Sequence, residues 1–211
     1  MNFDPVAPYY RWLETLVFGR RLQKARVAFL REIGKPRRVL VVGEGNGRFL
    51  SEFVTAHPGA AVDCVEASGR MIELARRRVG TAGVYFIQRD IREVELQPDT
   101  YDLLVTHFFL DCFGEYSLAL LVSKLARSAA PNAQWLIADF CEPAGDWRHM
   151  GRRFLIAFMY FFFRLVSGIE ARRLVDYRPF LQTAGFRVME TALPPDKMIR
   201  SERWARVLAP G

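Results

Sequence analysis

Apolar positions along the chain fall into two periods. Between residues 9 and 33 they recur at helical spacing, as Tyr10, Leu13, Leu16 and Val17 and then Leu22, Val27 and Leu30. Gly34 and Pro36 end that helix. Val39–Val42 is a short continuous apolar run, as expected for a strand buried on both faces of a sheet. The stripe Phe49, Leu50, Phe53 and Val54 predicts a helix closed by Pro58–Gly59. Ala61–Val65 predicts a second strand, and Met71–Val79 a second helix with an arginine-rich outer face. Val84–Ile87 and Tyr101–Thr106 predict two more strands, Ser117–Ala129 a helix stopped at Pro131, and Trp135–Asp139 a fifth strand. Short strands alternating with helices predict a parallel sheet with right-handed crossovers. After Cys141 the rhythm breaks at a long apolar and basic segment, 146–170. A helix over 174–184 and a strand Arg187–Ala192 resume it, Pro194–Pro195 turns the chain, and Met198–Val207 is expected to return antiparallel beside that strand.

The first strand runs into glycines, as VLVVGEGNGRFL, with Gly43, Gly45 and Gly47 two apart. Such a strand-to-helix turn puts backbone N–H groups and a helix N-terminus at the carboxyl edge of the sheet, and glycine permits close approach of a ligand. Glu66 ends the next strand, in VDCVEAS, where a carboxylate can accept hydrogen bonds from both hydroxyls of a ribose. The third strand ends in QRD, so Asp90 and Ile91 reach the same edge as a clamp for adenine, or Asp90 caps the next turn. A dinucleotide fits less well. The third glycine comes one residue early for G-x-G-x-x-G, and Glu44 inside the loop opposes a pyrophosphate. A ribose and adenine without a phosphate describe S-adenosylmethionine (SAM).

Composition supports a full core, at 51% hydrophobic and 13% aromatic. The net charge of +7 is uneven: residues 39–141 carry 9 Arg/Lys against 13 acids, while residues 1–38 carry 9 against 3. A basic flank faces a nucleic acid, an anionic lipid surface or an acidic substrate, or is solvated surface. Cys64, Cys112 and Cys141 form no CxxC pair, and His57, His107 and His149 fall in three separate segments. A reducing, cytoplasmic location without structural zinc or catalytic metal is therefore expected. The N-terminus shows no apolar core of a signal peptide, and FLIAFMYFFF at 154–163 is too short for a bilayer, which needs about 20 residues.

Together VLVVGEGNG, CVEAS, QRDI and YDLLVTHFFLDCF resemble the successive motifs of the class I SAM-dependent methyltransferases, above all the small-molecule group that includes the ubiquinone and menaquinone biosynthesis methylases. AGFRVME resembles the last helix-to-strand step, and FDPVAPYYRWLE the N-terminal helix that closes over SAM. The resemblance implies an α/β fold with a Rossmann-like seven-stranded mixed sheet, as one domain over 1–211. Residues 1–36 are then the closing helix region and 146–170 an apolar lid. It implies SAM contacts from Gly43, Glu44, Gly45, Asn46, Gly47, Glu66, Ala67, Asp90, Ile91, Thr106 and Tyr10. One departure stands at Val41, where the family carries an acid. Glu44 or an ordered water is left to help fix the loop and the methionine ammonium.

Methyl transfer is an in-line displacement, in which the protein holds donor and acceptor and excludes water. His107, past the fourth strand, is a candidate base or a pocket wall. Asp111 orients it, binds substrate or caps the helix near Tyr116. Phe108, Asp139, Arg148, Arg152, Phe158 and Phe162 are the candidate acceptor pocket. The lid's aromatics line a pocket for an apolar ring or chain, touch an anionic membrane, or seal a homodimer. The expected activity is methylation of a small, apolar or aromatic acceptor. A nucleic-acid methylase is disfavoured, because THFFLDCF lacks the Asn/Asp-Pro-Pro-Tyr/Phe signature. A non-catalytic SAM-binding scaffold or sensor is the remaining alternative.

Overall fold

A computed structural model describes residues 20–80, 83–141, 174–194 and 199–207. Its elements are α1 (Arg21–Arg26), β1 (Arg38–Val42), α2 (Arg48–Ala56), β2 (Ala61–Glu66), α3 (Gly69–Val79), β3 (Val84–Gln88), β4 (Tyr101–His107), α4 (Glu115–Ser128), β5 (Ala129–Phe140), α5 (Arg178–Thr183), β6 (Phe186–Ala192) and β7 (Ile199–Arg206). They form one seven-stranded sheet in the order β3-β2-β1-β4-β5-β7-β6. β1 to β5 run parallel, and β7 enters antiparallel between β5 and β6. The mixed seven-stranded sheet expected from the sequence is the one observed.

The unbroken apolar run of β1 follows from its place in that order. Side chains alternate across a strand, so a central strand covered on both faces needs apolar residues at every position. Leu40 and Val42 enter one core with Leu104, Trp135, Ile137 and Trp204, under α4 and α5. Val39 and Val41 enter the other with Phe49, Phe53, Leu103 and Val105, under α2. Both cores lie below the carboxyl ends of β1, β2, β4 and β5, which leaves that edge to the loops.

Three expectations are corrected. The described part of the 9–33 helix keeps its buried face, with Leu22, Arg26, Leu30 and Ile33 all inside. Its hydrogen bonds tighten after Arg26, however, as Leu30 N donates to Val27 O and Glu32 N to Phe29 O. The His57 ring takes the Leu30 carbonyl at 3.2 Å, which competes with the helical ladder. The fifth strand is longer than Trp135–Asp139, and α4 ends at Ser128, so Pro131 lies in the strand. A register shift against β4 absorbs it. The helix expected over 174–184 starts at Arg178, where Asp176 Oδ1 accepts from Arg178 N at 3.1 Å and Pro179 fits the first turn.

Trp204 is fully buried, and its Nε1 donates to the buried Glu202 carboxylate at 3.0 Å. Trp204→Ala should therefore lower stability by about 3–5 kcal/mol through the cavity alone. It also removes a donor from a buried acid. A urea denaturation midpoint unchanged from wild type would contradict this packing.

Candidate active site

Glycine sets the loop between β1 and α2 where the chain needs left-handed backbone. Gly43 has φ +69°, and a side chain there would run into the Phe109 ring. Gly47 has φ +82°, and a Cβ would meet the Ala75 backbone at 2.6 Å, so the loop lies directly on α3. Gly45, φ +67°, meets nothing and faces open space.

One carboxylate ties this loop to the next turn. Gly45 N donates to Glu66 Oε2 at 3.0 Å, and Ser68 N donates to Glu66 Oε1 at 2.9 Å. Ser68 Oγ in turn caps α3 by accepting from Met71 N. The Asn46 carbonyl accepts from Arg78. Glu44 turns to the other side. Its Oε1 accepts from Phe49 N and Leu50 N, at 2.9 and 3.1 Å, and so fixes the start of α2. Burial outweighs those bonds and the Arg26 charge, and it raises the Glu44 carboxyl to about 7.

Above the loop lies an open cavity of about 690 Å³, solvent at its mouth included. Of the residues expected from the sequence, it brings together Gly43, Gly45, Glu66, Ala67, Asp90, Ile91 and Phe108. Glu44, Asn46 and Gly47 shape the loop from behind. Asp90 pairs with Arg92 through Nη2 at 2.7 Å, which holds its carboxyl down at about 2. Thr106 lies beneath, its Oγ1 accepting from Trp135 Nε1. His107 is buried edge-on against Phe49, ring centroids 4.9 Å apart. Neither of its nitrogens makes a well-formed hydrogen bond among the described residues, and the Arg26 backbone opposes the downward shift of its pKa only weakly. Burial, helped by the Arg26 charge, pushes His107 down to about 3. Asp111 and Asp139 are buried as well. Asp111 does not cap α4, whose N-cap is Gly114. Tyr10, Arg148, Arg152, Phe158 and Phe162 lie outside the described residues.

Sequence reasoning missed Met71, Arg89, Phe109, Cys112 and Phe113 on the cavity wall. For Phe109, Cys112 and Phe113 the signal was present, since HFFLDCF follows a strand end. It also missed Arg26, whose guanidinium sits 5.0 Å over the Phe108 ring. Phe108 adopts φ +54°, a costly conformation for an aromatic residue, and its ring packs on Phe140. Among the described residues no group of three or more His, Cys, Asp or Glu could hold a metal ion, and no helix is long and apolar enough to cross a membrane.

Glu44 gives the fold a pH signature. Its folded pKa lies above the ordinary carboxylate value, so between about pH 4.5 and 7 the native state holds a proton that the unfolded chain has lost. That contribution is fully present below the unfolded pKa and is lost as pH rises through 7. Wild type should lose more stability than Glu44→Gln between pH 5 and pH 8, read from urea midpoints. Equal losses would show that Glu44 is ionised in the fold.

Comparison with known proteins agrees with this geometry. Residues 39–133 match the Methyltransferase domain family. A demethylmenaquinone methyltransferase of Chlamydia pneumoniae is 23% identical over 141 residues, covering 67% of this chain and 60% of that protein. A malonyl-[acyl-carrier protein] O-methyltransferase of Halalkalibacterium halodurans is 36% identical over 110 residues, covering 50% and 40%. The chain thus spans about half of the length of these relatives. A 1,6-didemethyltoxoflavin-N1-methyltransferase of Burkholderia thailandensis, solved with its substrate and S-adenosylhomocysteine, shares the fold with a TM-score of 0.67 at 15% identity, over 96% of this chain and 85% of that one.

Proposed function

We propose that this chain is a class I SAM-dependent methyltransferase, which transfers a methyl group from SAM to a small, apolar or aromatic acceptor and releases S-adenosylhomocysteine; the domain match over residues 39–133 and the shared fold support this reading. The observation that carries this is Glu66, held at the end of β2 between the glycine loop and the cavity. Its Oε2 accepts from Gly45 N and its Oε1 from Ser68 N, and in this reading the carboxylate also accepts from the ribose hydroxyls. Ile91 and Met71 offer apolar walls for adenine, with Asp90 at the rim. SAM supplies an activated methyl on a sulfonium. The chain's own residues orient it and keep water out, and Phe108, Phe109 and Phe113 form the apolar side of the cavity. His107, neutral and packed on Phe49 away from the cavity lining, serves in this reading as packing rather than base.

The arginine-flanked apolar run of 146–170 lies outside the described residues, and its aromatic composition supports the expected cover for an apolar acceptor. Arginines beside aromatics also favour peripheral contact with an anionic membrane. Arg152→Glu with Arg153→Glu should then release the protein from vesicles containing phosphatidylglycerol. Should the run instead seal a homodimer, Phe158→Ala would lower the mass seen by sedimentation.

Calorimetric titration tests the cofactor. Wild type should bind SAM and S-adenosylhomocysteine, and Glu66→Ala should weaken both by roughly 1.5–3 kcal/mol, the worth of a hydrogen bond to a charged group. No binding by wild type, or unchanged affinity in the variant, would defeat the assignment.

A further inference from the structure

Phe108 keeps a left-handed backbone, φ +54°, that glycine adopts freely and an aromatic residue only at a cost. Its surroundings must therefore hold it there. Its N–H donates to Ala138 O at 2.6 Å, and its ring packs on Phe140, centroids 5.2 Å apart. A further hold comes from outside the sheet. The Arg26 guanidinium lies 5.0 Å from the Phe108 centroid. Arg26 is itself buried, at 7% exposure, and ends α1 one turn after the buried Leu22. Contacts on either side fix its place. Gln23 Nε2 donates to the carbonyl of Arg48, the first residue of α2, and Ser201 Oγ of β7 donates to Ala25 O, each at 3.0 Å. Phe108 in turn lines the cavity with Gly43, Gly45 and Glu66. A contact made by α1 thus reaches the wall of a cavity that no described residue of α1 lines.

Resting on the methyl-transfer function above, we propose that Arg26 is a positioning residue for the cofactor site: it holds the Phe108 ring in the cavity wall and so makes ligand binding depend on the docking of α1. A guanidinium over an aromatic face is attracted by the ring quadrupole, and more strongly where water is excluded, as around a buried arginine. Arginine suits the place, because its planar and weakly hydrated group stacks on a ring. Desolvating a cation is costly, so a buried guanidinium needs favourable neighbours. Glu44 is another, since Arg26 acts on it as a nearby charge. Glu44 spends its carboxylate on the first amides of α2 and does not line the cavity, whereas Phe108 does. Without the cation, Phe108 is free to relax toward an ordinary φ and take its ring out of the wall. Linkage runs both ways, so a ligand bound against the ring also favours docked α1.

A double-mutant cycle tests this, read by calorimetric titration with S-adenosylhomocysteine on variants folded by circular dichroism. Arg26→Met keeps an unbranched side chain without the charge and should weaken binding about tenfold, the size of a desolvated cation–π contact. Arg26→Lys, which retains a cation, should bind more tightly than Arg26→Met. Phe108→Gly removes the ring and accepts the left-handed backbone. In that background Arg26→Met should change affinity by less than about twofold. In a Glu44→Gln background the tenfold loss should persist. A loss undiminished by Phe108→Gly would overturn the inference. So would wild-type affinity in Arg26→Met, equal binding by the Met and Lys variants, or a loss that disappears with Glu44→Gln. If Arg26→Met does not fold, hydrogen exchange decides. S-adenosylhomocysteine should then slow the α1 amides in wild type and leave them unchanged in Phe108→Gly, and any other result overturns the inference. No binding of S-adenosylhomocysteine by wild type would be a different failure, that of the methyl-transfer function itself.

Discussion

The site depends on one carboxylate that two separate turns share. Glu66 takes an N–H from Gly45 in the first loop and another from Ser68 at the start of α3. Neither donor has a partner within its own element, because a left-handed loop residue and a helix N-terminus both leave amides over. A charged acceptor satisfies both and is stronger than a neutral one. The loop is thereby fixed before any ligand arrives, and the cost of ordering it falls on folding rather than on binding. Gly47 makes this possible, since any larger residue would hold the loop off Ala75 and carry Gly45 away from Glu66.

Acids at the same sheet edge end in opposite states because their surroundings differ. Asp90 faces solvent in part and pairs with Arg92, so it is held ionised, down at about 2. Glu44 bonds two helix amides yet rises to about 7, because burial is the larger effect. Arg26 is the buried cation on that side. It lowers Glu44, opposes protonation of His107 and rests on the Phe108 ring. A single guanidinium thus favours a neutral imidazole and places an aromatic wall.

Strand positions and the meeting of Gly43, Gly45, Glu66, Asp90 and Ile91 at one cavity were legible because both follow from local pattern. Val39–Val42 had to be central, since no edge strand is apolar at every position. The glycines and Glu66 had to lie together, because parallel strands bring their carboxyl ends to one edge. The turn after β4 resisted for physical reasons. Thr106, His107 and Phe108 are consecutive, yet they face a tryptophan, a phenylalanine and the cavity respectively. A positive φ at Phe108 breaks the strand alternation there, and nothing in a phenylalanine announces a positive φ. An imidazole's strength as a base depends on its solvation, which residue type does not carry. Arg26 was hidden among the arginines of a helix read only for its apolar stripe.

Strain and unmet polarity collect at one place, the turn after β4. Phe108 pays for a left-handed backbone there. Its neighbour Phe109 uses its N–H on Asp139 and presses its ring onto Gly43. Gly43 N in turn donates to Val65 O, the residue before Glu66. Asp139 and Glu66 are therefore joined by a short chain of contacts: Asp139, Phe109, Gly43, Val65, Glu66. One link is a side-chain carboxylate on a backbone N–H, and the others run through backbone or a ring set against bare backbone. A methyl transfer needs donor and acceptor held in line to within a fraction of an ångström. A path that runs mostly through backbone meets that need better than flexible side chains would, and Phe108 beside it is held in a costly left-handed conformation.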